Sequence, residues 1–275
     1  PKSFVMKSFV LSRNLLILSL LLTCYLLQSQ SFSVKPTSLQ YPLEPGQSGY
    51  RHITITNMTD EPKSYVISKG DFMPDSLGNT LRFPSGTTAR SCAEWLQIAP
   101  TTFSLAPNES KKVRLSIEVP VGEHSTKWAE IYIQAEEELL SLPALADKSM
   151  QSQLQAQGRI AVPVLQSPAS NTLFEAKVAN LRPVQYGQEE MYHADLINSG
   201  DKLVTGQILR TITHLESGKK SHLPPFKVGL LPDERKTIEF PLPKDLGKGS
   251  YQLTTIWQVD YQKRPKGART QIELE

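Results

Sequence analysis

Leu105-Ala-Pro107-Asn-Glu109-Ser-Lys111 and Leu230-Leu-Pro232-Asp-Glu234-Arg-Lys236 are two versions of one seven-residue pattern. Each leads into an alternating apolar/polar run, Val113–Val119 and Lys236–Phe240. The proline fixes φ, and the Asn or Asp after it can bond its own backbone, so each pattern reads as a turn that starts a strand. A second pair lies upstream in the same order: Ile55-Thr-Asn57-Met-Thr-Asp60 and Leu196-Ile-Asn198-Ser-Gly-Asp201. Here a strand ends at an Asn-containing turn. Two matched pairs in one order indicate a duplicated unit, with the join near Ser167-Pro168-Ala169-Ser170-Asn171. Working outward, alternation recurs at His52–Thr56, Tyr65–Ser68, Trp128–Ile133, Gly158–Leu165, Ala194–Ile197, Val204–Thr213, Tyr251–Val259 and Thr270–Leu274. Many short strands bounded by turn residues predict an all-β chain of two sandwiches. After Phe32 no window shows helical periodicity. Gln134–Leu145 is too limited by Pro143 for a long helix and reads as part of a hairpin connection reaching Gln153.

The 275 residues suffice for two domains. The formal charge is +3, but residues 1–31 hold Lys2, Lys7 and Arg13 and no acid, so the remainder is balanced. No basic field is left to draw nucleic acid. Lys7 and Arg13 precede the apolar run Leu15–Leu27, and Gln28–Ser31 follows as a cleavage zone. That run is short for a membrane span and suits a secretory signal. Residues 1–31 are therefore read as leader and signal peptide, 32–168 as the first domain and 169–275 as the second. Cys24 precedes a continuing apolar run, unlike a lipidated cysteine with its polar tether. Cleavage near Ser31 leaves Cys92 alone, so no internal disulfide is expected. Sequence reading finds no G-x-S-x-G elbow, Gly-rich phosphate loop or H-E-x-x-H. The five histidines, His52, His124, His193, His214 and His222, are dispersed. Glu136-Glu137-Glu138 reads as a solvated charge run. The expectation is a protein without catalytic residues, metal, cofactor or small-molecule substrate.

Four stretches resemble the periplasmic chaperones of bacterial pilus assembly, a family with two immunoglobulin-like domains. They are Trp95–Asn108 with its Leu-x-Pro turn, Arg159-Ile-Ala-Val162-Pro-Val164, Leu196-Ile-Asn198-Ser, and Gln258-Val-Asp260-Tyr261-Gln-Lys-Arg264-Pro. The resemblance implies a periplasmic chaperone-like protein that binds exported or pilin-like subunits by β-strand addition, with an outer-membrane assembly protein as a further partner. It implies that the last strand of the first domain meets the client, through Leu154, Ala156, Ile160 and Val162. It also implies that Arg159, on that strand at the cleft between domains, holds the client's terminal carboxylate. The second basic position falls near Ser38, and Lys35 is the nearest cation to it. The upstream positions Met150, Ser152, Leu154, Ala156 and Gly158 are only partly apolar. The residues leave open a second reading, a non-catalytic structural or adaptor module of an envelope or secretion assembly.

Overall fold

The computed structural model describes residues 31–136 except 76, and 159–274 except 188, 244, 260 and 262–265. The apolar run Leu15–Leu27, Leu154 and Ala156 lie outside the described residues. The first half contains β1 (Phe32–Lys35), β2 (Leu39–Tyr41), β3 (Ser48–Asn57), β4 (Lys63–Pro74) and β5 (Thr80–Pro84). It continues with β6 (Leu96–Ala99), β7 (Thr102–Leu105), β8 (Ser110–Glu118), β9 (Lys127–Ala135) and β10 (Arg159–Gln166). The second half contains β11 (Ala176–Tyr186), β12 (Glu189–Asn198), β13 (Val204–His214), β14 (Lys220–Leu230), β15 (Arg235–Pro241), β16 (Gly249–Val259) and β17 (Lys266–Leu274).

In the first half one sheet runs β1-β3-β8-β6 and the other β2-β10-β9-β4-β5, with β7 also on β4. This is immunoglobulin-like wiring. In the second half β11-β12-β15 faces β14-β13-β16-β17, the same wiring with, among the described residues, no strand in the place of β2 or β6. Each half closes over its own core. Ile53, Ile55, Val113, Leu115, Ile131, Ile133, Val162 and Val164 are buried in the first. Ala194, Leu196, Ile208, Leu230, Leu253 and Trp257 are buried in the second. Each large aliphatic side chain so buried contributes about 1.5–3 kcal/mol.

The paired turn patterns form one repeated structure. Asn57 Nδ2 donates to the carbonyls of Glu61, Leu105 and Ala106, and Asn198 Nδ2 to those of Lys202, Leu230 and Leu231. Each Asn Oδ1 accepts the amide two residues on, from Thr59 and Gly200, at 3.0 Å. In both halves the Glu of the Leu-x-Pro turn accepts a backbone amide at 2.7 Å: Glu109 from Ala106, and Glu234 from Leu231. Asn108 and Asp233 hold φ of 59° and 62°, a conformation their short polar side chains tolerate. The strand-ending Asn thus locks onto the strand-starting turn, and the two signatures are halves of one device.

The alternating runs fall on strands, except that Val119 lies just past the end of β8 and Gly158 lies outside the described residues. The strands that alternation did not reveal are mostly short or at sheet edges. β5 is exposed along its whole length, and β14 carries Pro224-Pro225, which an edge strand tolerates because its outer N–H groups have no partner strand. β9 departs from simple alternation. Trp128, Glu130 and Tyr132 face away from the first core yet are buried, as are Ala129, Ile131 and Ile133 on the other side. Of the run Gln134–Leu145, Gln134 and Ala135 close β9, and 137–158 lie outside the described residues.

Candidate functional site

β10 is the strand on which the sequence places the client contacts, and half of one of its edges is free. β9 pairs antiparallel with it along its whole length, Arg159 to Gln166. On the other side β2 pairs in parallel only with Val164, Leu165 and Gln166. Among the described residues no strand pairs with that side of Arg159–Pro163. Backbone direction can be read from the next residue. Ser167 N–H donates to the Tyr41 carbonyl on the β2 side at 3.0 Å. Amides alternate sides along a strand, so Leu165, Pro163, Ala161 and Arg159 also face the β2 side, and Ile160 and Val162 face β9. Pro163, which has no N–H, therefore costs no bond to β9. The free edge presents the N–H and C=O of Arg159 and Ala161; the Pro163 C=O faces Leu39, where the β2 ladder begins.

The chain enters this edge from the opposite sheet. β1 belongs with β3, where Lys35 pairs with Thr54, and after a cis Lys35–Pro36 peptide the chain crosses to β2 beside β10. Lys35 and Arg159 thus lie on the same side of the sandwich, on opposite sheets. Lys35 is exposed. The Arg159 guanidinium lies 3.3 Å from the centroid of the Tyr132 ring, a cation–π contact. Burial of the Tyr132 hydroxyl, followed by the nearby Glu130 carboxylate, pushes its pKa up to about 12, so it is a neutral phenol at physiological pH. Glu130 is itself buried and accepts from Arg82 Nε at 3.2 Å.

Of the expected strand contacts, Ile160 is half-buried and packs on the first core. Val162 is fully buried, so its side chain is already used by the fold and only its backbone belongs to the strand. Arg159 stands at the end of β10 remote from the second half. Gln166, which adjoins the connection to β11, is seven residues further, about 23 Å in extended chain. The cleft between the halves is lined instead by Gln40, Tyr41, Arg51, Leu165, Phe174 and Lys202, among others, in a volume of about 510 Å³. Its cations are Arg51, which lies 5.3 Å from the Tyr41 ring centroid, and Lys202, whose Nζ donates to the Pro168 carbonyl at 2.6 Å. Burial lowers the Lys202 pKa. Burial raises the Tyr41 hydroxyl to about 12, and it donates to the Leu115 carbonyl at 2.9 Å. Sequence reading missed Arg51 and Lys202 because one lies within β3 and the other in a bend, and neither local pattern says anything of the other half.

The described residues contain no group of three or more His, Cys, Asp or Glu side chains arranged to hold a metal. His52 is exposed, while His193 lies 3.1 Å from Glu239 and 3.4 Å from the Tyr186 hydroxyl.

No protein-family model matches the chain, and no curated protein does. Among solved structures it is similar to the class 5 fimbriae chaperone CfaA at 13% identity and TM-score 0.44, over 88% of this chain and 100% of that one. A chain from the CsuC–CsuE chaperone–tip adhesion subunit pre-assembly complex of Acinetobacter baumannii Csu pili is similar at 11% identity and TM-score 0.44, covering 86% of this chain and 97% of that one. The CupB2 chaperone of Pseudomonas aeruginosa is similar at 11% identity and TM-score 0.40, over 88% and 98% of the two chains.

Proposed function

We propose that this chain is a non-enzymatic, chaperone-like protein of the periplasm that holds exported, pilin-like subunits by β-strand addition. The observation that carries the reading is the free half-edge of β10. Strand addition needs unpaired backbone groups beside a partly open core, and Arg159–Pro163 offers both, with Ile160 half-buried next to it. A free edge is also an aggregation hazard that a fold without use for it tends to block. Lys35 and Arg159 flank this edge and are proposed to meet carboxylates of the client there, at the outer end of the strand and not in the cleft between the halves. Residues 1–31 are proposed as signal and leader, and 32–168 and 169–275 as the two domains.

The test is capture of clients from periplasmic extract by the wild type, Ala161→Pro and Arg159→Ala. Proline at 161 deletes one free-edge donor while leaving the β9 ladder intact. Loss of capture in Ala161→Pro with unchanged thermal melting supports strand addition. Full capture by that variant contradicts it. An Arg159 that meets a client carboxylate in a partly buried pair makes the Arg159→Ala loss about 2–5 kcal/mol; an exposed pair makes it at most about 1 kcal/mol.

A further inference from the structure

Among the described residues the second sandwich has no counterpart of β6. In the first, β6 pairs with β8 over Leu96–Ala99 and extends that sheet. In the second, β15 takes the place of β8 and, among the described residues, pairs only with β12, so its outer edge is free. The facing sheet ends on the same side at β14, whose side chains are largely exposed.

Behind this gap lies a cation. Arg210 alternates with the buried Ile208 and Ile212 along an unbroken ladder with β16, so its side chain points into the sandwich. Its guanidinium lies 5.1 Å from the Phe226 ring centroid and 4.8 Å from that of Phe240. One Nη donates to the Pro224 carbonyl at 2.7 Å. The buried Nε has no hydrogen-bond partner, and among the described residues no carboxylate pairs with this arginine. Directly across the ladder stands Thr255, fully buried, with its hydroxyl also unpartnered. A partly buried charge without a counter-ion is unfavourable, and burial accordingly lowers the Arg210 pKa. The fold keeps this cation beside an open edge.

We propose that a polypeptide strand adds to the free edge of β15, in the place that β6 holds beside β8, and presents an inward-facing Asp or Glu to Arg210. The free β15 backbone supplies the ladder, and strand alternation delivers one side chain to the interior. A carboxylate matches the guanidinium fork, which the two rings cannot hydrogen-bond. The proposal is independent of strand addition at β10, which uses the other sandwich.

The test uses the full chain and two capped pentapeptides, Thr-Val-Glu-Val-Thr and its Gln counterpart, followed by NMR of arginine Nε–H resonances. The Glu peptide is expected to bind about tenfold tighter, as one charge-assisted hydrogen bond would give, and to move the Arg210 Nε–H resonance. In Arg210→Gln the preference for Glu should vanish. Arg210→Lys, which keeps the charge and loses the fork, assigns the resonance if the Gln variant does not fold. Equal affinity for the two peptides, binding of neither, or an unmoved Nε–H resonance would overturn the proposal. N-acetylglutamate binding as tightly as the peptide would overturn its strand component.

Discussion

At the scale of single residues, Asn57 and Asn198 hold each half together through three carbonyls apiece. Asn198→Ala removes both donors and leaves buried acceptors without partners, so urea unfolding should show a loss of about 2–4 kcal/mol. A loss below about 0.5 kcal/mol would mean that the turn is held by other contacts. Glu234 gives a pH test. Burial raises its carboxyl pKa above the ordinary value, outweighing the Leu231 amide and Lys236. Its protonated form is thus the one the fold prefers: the stability it contributes is present below the unfolded pKa and lost as pH rises through the folded one. Glu234→Gln should remove that part of the pH dependence; an unchanged stability–pH curve would refute the assignment. Cys92 is fully buried, and burial followed by Asp71 pushes its thiol up to about 12. It should resist alkylation at neutral pH until the chain unfolds, and rapid labelling of the folded protein would contradict its placement. The turn residues were legible in the sequence because their chemistry is local. Their joining was not, since Asn57 meets Leu105 across 48 positions, and no local pattern records which turn an Asn will cap.

Among the strands, legibility followed burial. β8, β9 and β10 lie within the sheets, where one face or both must be apolar, and their sequences show it. β5 and β14 lie at edges, where neither alternation nor the absence of proline is enforced. The free half of β10 was hidden for a related reason. Arg159-Ile-Ala-Val162-Pro-Val164 announces a strand, but pairing that stops at Val164 depends on how far β2 extends, and β2 is only three residues long. Pro163 is the one local sign, and it takes its meaning from the direction of its neighbours' amides. The position of Arg159 illustrates the same limit. Its place on the last strand of the first half was readable, whereas which end of that strand approaches the second half was not.

Across the whole molecule, the two halves meet through polar contacts spread over distant segments. Arg90 donates to the carboxylates of Asp201 and Asp233 and to the Thr126 carbonyl. Burial opposes the Arg90 charge, but the two carboxylates outweigh it and raise its pKa. Asp201 also accepts from the Thr126 amide and from Asn171 Nδ2. At the hairpin tip between β4 and β5, Gly78 has φ +86° and lies so close to Lys236 that an added Cβ would come within 2.8 Å of that side chain. Asp201→Ala leaves Arg90 without one of its carboxylates, so it should cost about 3 kcal/mol and separate the melting of the two halves in calorimetry. A single unshifted transition would show that the halves are coupled by other contacts. The central claim, that a client strand occupies the free edge of β10, is tested most directly by amide hydrogen exchange with and without captured client. The account predicts new protection at the amides of Arg159 and Ala161, which face the free side, and little change at Ile160 and Val162, which already face β9. Protection that ignores this alternation, or that leaves Arg159 and Ala161 exchanging as in the free protein, would contradict it.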